Sequence, residues 1–103
     1  MKIIKELADL IEEEVEGVEN YAKLASHYKA EHPKLAATFY DISLQELHHV
    51  NLLHDEVTQF IHEYREKHGA PPAAMQAIYD WQHERQIEKI AEAKRYQEIY
   101  KSS

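Results

Sequence analysis

One long stripe of apolar side chains limits most tightly what this chain can fold into. Between Leu35 and Tyr64, the positions Leu35, Phe39, Ile42, Leu53, Phe60 and Tyr64 recur at steps of three and four, with Glu46, His49 and Glu56 holding the intervening places. Such steps keep every position on one face of an α-helix. Residues 33–67 therefore read as a single helix, about 50 Å long at 1.5 Å per residue. A face of this kind turns inward. Glu46 and His49, three residues apart on it, would be costly to bury without a partner.

The remainder of the chain reads the same way. A first helix is predicted over about 3–29, with Ile3, Leu7, Leu10, Glu14, Val18, Tyr21, Ala25 and Tyr28 on its seam and Glu12, Glu13, Glu16 and Lys23 on the solvated side. Ala30-Glu31-His32 breaks it, and Pro33 suits the first turn of the second helix. His68-Gly69 and Pro71-Pro72 end the second helix, and a third follows over about 73–100. The apolar residues of the third helix, Met75, Ile78, Trp81, Ile87, Ile90, Ala91 and Ile99, fall on no narrow stripe, which predicts a wide buried surface touching more than one neighbour. Only two glycines and three prolines, with 44% hydrophobic and 30% charged residues, place the chain in the all-α class. Residues 1–103 read as one domain, of a size at which association with further copies often completes the core.

Composition excludes several classes of function. With no cysteine there is no disulfide, thiolate zinc site, iron–sulfur cluster, rubredoxin-type iron centre or thiol nucleophile. A formal charge of -7 without a Lys/Arg cluster argues against nucleic acid or an anionic membrane as partner. No apolar run reaches membrane-spanning length and no signal peptide is visible, so a cytoplasmic or enclosed intracellular location is expected.

Two helices bring ionisable groups to their seams. Glu14 interrupts the first stripe between Leu10 and Val18; Glu46 and His49 interrupt the second. The two places lie at similar distances from the break at 30–32, so a closed hairpin sets them at one height. Glu-x-x-His projecting inward from a helix is a ligand arrangement of bundle-core di-metal sites.

The pattern of Glu14, Tyr21 and then Glu46-x-x-His49 resembles the first half-site of ferritin-like di-iron proteins, as in rubrerythrins and bacterioferritins, and Glu19-Asn20-Tyr21-Ala22-Lys23-Leu24-Ala25 looks rubrerythrin-like. The resemblance spans roughly residues 7 to 66. It implies Glu14 as a terminal carboxylate ligand, Glu46 as a bridging one, His49 as an imidazole ligand, and Tyr21 as a hydrogen-bonding neighbour. It implies iron as the metal, with Mn(II) or Zn(II) as alternatives. The family carries four helices and a second Glu-x-x-His; this chain has neither. Two copies about a twofold axis would supply four carboxylates and two imidazoles, a full di-metal set. A homodimer, or a larger assembly of dimers, is therefore expected to complete the four-helix bundle, as in the short subunits of encapsulated ferritins. Glu84 on the third helix is the competing completion within one chain.

The activity this resemblance implies is Fe(II) oxidation by dioxygen or peroxide, or peroxide reduction fed by an external electron donor. A non-catalytic module clamped by zinc or manganese and a metal-free helical adaptor are the alternatives. In the adaptor reading, Glu46 and His49 only set helix register. His27, His32, His48, His54, His62 and His68 read as surface or neighbouring residues, and the Glu/Lys runs from Glu84 to Lys94 as i,i+4 support of an exposed helix.

Overall fold

The computed structural model describes residues 2–103 as three helices and no strand: α1 (Lys2–Tyr28), α2 (Pro33–His68) and α3 (Ala73–Ser102). Pro33 opens α2, where its missing N–H costs nothing. Gly69 closes α2 at φ 74°, a backbone angle that side chains resist, and its N–H donates to the Arg65 carbonyl at 2.9 Å. Each expected helix is present, with ends shifted by one or two residues.

α1 and α2 pair along their length as a hairpin. The α3 backbone lies mainly beside α1, and α3 reaches α2 chiefly through side chains. The seam centre is one residue away from the sequence expectation on both helices. α1 buries Ile4, Ile11, Val15, Val18, Ala22 and Ala25, and α2 buries Ala36, Ser43 and Val50. One residue is a 100° turn of the helix. Most of the expected stripes therefore lie on one edge of the hairpin, where Leu10 is 46% and Leu35 43% exposed, while Val18 and Ala25 of the expected α1 seam are buried. The true seam mixes Ile4, Ile11, Val15, Val18 and Val50 with small Ala22, Ala25, Ala36 and Ser43, and the small residues let the two helix backbones approach closely.

α3 covers the opposite edge. Lys89 donates to Glu12 at 3.0 Å, Gln86 reaches the Ala8 carbonyl, and Tyr100 stacks on Tyr40. A buried polar link joins all three helices: Gln97 donates to the Ser43 hydroxyl at 3.0 Å, and that hydroxyl donates to the Val18 carbonyl at 2.6 Å. Lys29 donates to the Ser103 carbonyl and lies over the Tyr100 ring, holding the end of α3 to the hairpin turn. The wide buried surface expected of α3 is not found. It buries only Ala93 and Gln97, while Ile78, Trp81 and Ile87 each remain more than half exposed, because α3 has one close neighbour rather than two.

The chain is a rod of 56 × 18 × 18 Å with a radius of gyration of 16.6 Å. A compact domain of this length would have about 13 Å. Among the described residues, no helix is long and apolar enough to cross a membrane.

Candidate metal centre

Glu14 on α1 and Glu46 and His49 on α2 converge midway along the open edge of the hairpin. One donor atom from each lies within 4.8 Å of the other two. Donors held at about 2.1 Å from a shared ion stand at most about 4.2 Å apart, so a small side-chain movement would bring all three onto one cation. The equal distances of Glu14 and Glu46 from the interhelical turn produce this match in height. The helical i,i+3 spacing then places His49 beside Glu46.

The three groups are poorly satisfied by one another. His49 Nδ1 lies 3.4 Å from Glu14 Oε2, close enough for charge attraction but not aligned as a hydrogen bond. Glu14 Oε2 is buried and has no hydrogen-bond partner among the described residues. A buried acceptor left this way costs about 1–3 kcal/mol, more when charged. The neighbouring Glu14 side chain, by hydrogen bonding to the protonated form, pushes the Glu46 carboxyl up to about 7; burial and the Glu14 charge act in the same direction, and His49 opposes them. Two carboxyl groups facing each other without a counter-ion share a proton. A divalent cation would replace that proton and give Glu14 Oε2 the partner it lacks. The oxygen and nitrogen donors fit Fe(II), Mn(II) or Zn(II).

Gly17 is part of this site and was not singled out by its sequence. It lies one turn after Glu14 on α1, and a Cβ at this position would stand 2.9 Å from Glu46 Oε2. The bare backbone of Gly17 is the floor on which the Glu46 carboxylate rests. Its signal was a glycine inside an otherwise strong helix, a position that normally costs stability.

The other candidates are placed as follows. Tyr21 is half-buried on the same edge with its ring 6.0 Å from that of Phe39, and no hydrogen bond from its hydroxyl to the carboxylates occurs among the described residues. Glu84 is exposed on α3 and is not part of the cluster. His48 and Glu56 are exposed. His54 departs from its expected place on the surface: it is half-buried, and its ring stacks on that of His83. Comparison with protein-family models, curated proteins and solved structures finds no match to this chain.

Proposed function

We propose that this chain is a ferritin-like metal protein whose di-iron site assembles between two copies and oxidises Fe(II). The observation that carries this reading is the convergence of Glu14, Glu46 and His49 around a buried carboxylate oxygen that has no hydrogen-bond partner among the described residues. The edge bearing these groups is also apolar and uncovered: Ile3 and Leu10 on α1 and Leu35 on α2 are each at least 40% exposed beside it. α3 occupies the opposite edge, so a second hairpin has room to dock here. The elongated shape supports the same conclusion, since a rod this thin buries less of itself than a compact domain would.

Each copy contributes two carboxylates and one imidazole. A twofold pair then offers four negative charges to two divalent ions, with the histidines neutral. Iron bound to such oxygen and nitrogen donors, with positions left open, supplies electrons to dioxygen or peroxide. The residues of the chain have separate tasks. Glu14, Glu46 and His49 would hold the metal, Glu46 would give up the proton that its raised pKa retains, Gly17 leaves room for the Glu46 carboxylate, and the half-exposed His49 stands at the solvent side.

Anaerobic Fe(II) titration followed by oxygen tests the proposal. Two irons per dimer and rapid oxidation are expected, and His49→Ala should abolish stoichiometric uptake. Binding without turnover would instead support a zinc- or manganese-clamped module, and no binding at all would leave a metal-free helical adaptor.

A further inference from the structure

We propose that His54 on α2 and His83 on α3 form a second metal site, separate from the carboxylate centre and selective for a zinc-class divalent ion. Their Nε2 atoms lie 3.4 Å apart, and the rings are inclined by 20° with centroids at 5.4 Å. The nitrogens are closer than the ring centres, so the two Nε2 apices converge. Two imidazoles bound to one tetrahedral zinc at about 2.0 Å place their nitrogens about 3.3 Å apart. The pair is thus already set at the separation a tetrahedral ion requires. Without an ion the two nitrogens share at most a long N–H···N hydrogen bond, so an ion would displace little.

The surroundings agree with this assignment. The pair stands at the rim of a cavity of about 240 Å³ between the three helices, lined by apolar groups including Ile4, Ile11, Val57 and Ile61. Side chains from all three helices line the cavity, and the α2 and α3 backbones make few close approaches to each other. Asp80, one turn before His83 on α3, lines the same cavity but accepts from Gln76 at 2.8 Å and does not come within ligating distance of the two imidazoles. Solvent at the exposed His83 would complete the shell of a bound ion. Two imidazoles completed by water suit zinc, copper(II) or nickel(II), whereas the Glu14–Glu46–His49 centre is richer in oxygen and suits iron or manganese. The ion would clip α3 to the hairpin over the part of its length where apolar packing is thin.

The test is a Zn(II) titration of the full chain carrying His49→Ala, which disables the carboxylate centre, with binding followed by calorimetry and by the visible spectrum of Co(II). The expected result is about one zinc per chain, a tetrahedral Co(II) spectrum, and a higher melting temperature with zinc than without. Adding His83→Ala, at an exposed position, should lower the affinity at least tenfold and remove the spectrum. His54→Gln should do the same while far-ultraviolet circular dichroism shows the helices intact. His62→Ala, which removes another exposed histidine, should change nothing. Zinc binding that survives both His83→Ala and His54→Gln, or that falls equally with His62→Ala, overturns the proposal. Fe(II) uptake by the single His83→Ala variant, measured in parallel, reports on the carboxylate centre alone, so either site can fail without the other.

Discussion

Replacing Gly17 by alanine separates the stability of the fold from the competence of the metal centre. In an exposed helix interior the exchange gains about 1 kcal/mol, because glycine loses more backbone freedom on folding. At this position the new methyl group would lie 2.9 Å from Glu46 Oε2, against 3.4 Å for ordinary contact. The carboxylate must retreat by about half an ångström. It can do so at little cost to the fold, since it is the far end of a flexible side chain, but metal–ligand distances tolerate only about 0.2 Å. Metal-free Gly17→Ala protein should therefore melt at the same temperature as the parent or up to about 4 °C higher. Its affinity for Fe(II) or Mn(II) should fall by about 10–100-fold, the usual cost of disturbing the support of a ligand. The displaced Glu46 also leaves Glu14, so its titration, followed by carboxyl-carbon NMR, should move from about 7 back toward 4.5. Calorimetric melting with and without metal, together with a metal titration, reads all of this. A variant that is well folded and binds metal as tightly as the parent would refute the role assigned to Gly17.

Four further outcomes are expected. In the metal-free protein, Glu46 keeps its proton up to about pH 7 when folded and releases it near 4.5 when unfolded, so the folded state holds the extra proton between these values. Stability should therefore fall as pH rises from 4.5 to 7 and level off above that, as denaturant titrations across the range would reveal. A flat profile would mean that the two carboxylates do not interact. Metal added near pH 6 should expel that proton, measurable by calorimetry in buffers of different ionisation enthalpy. Ser43→Ala should cost about 1–3 kcal/mol in denaturant unfolding, because the Gln97 amide is left buried without its acceptor. Leu10→Glu, which places a charge on the uncovered edge, should lower the oligomeric mass in sedimentation while leaving the helical content unchanged.

The number, order and limits of the helices were legible in the sequence because they depend on local chemistry. Pro33 opens a helix, Gly69 closes one, and a scarcity of other breakers leaves long helical runs between them. The height match between Glu14 and Glu46 was equally legible, since a hairpin turn near residues 30–32 equates distances along two antiparallel helices. The phase of the seam was not. Neighbouring stripes on α1 and α2 both carry apolar residues, and the large ones, Leu10 and Leu35, suggested the wrong centre. Packing kept Val18 and Ala25 on the expected seam but buried Ile11, Val15 and Ala22 on α1 and Ala36, Ser43 and Val50 on α2, one residue from the expected stripes. That 100° rotation moves the carboxylates from a sealed core to an edge that solvent and a partner can reach. Contacts between α3 and the hairpin lay further beyond local reading. Nothing in the spacing of Ser43 and Gln97, or of His54 and His83, relates one helix to the other; only the docking of α3 brings them within bonding distance. Periodicity along a chain determines which residues share a face, while tertiary packing decides what that face meets.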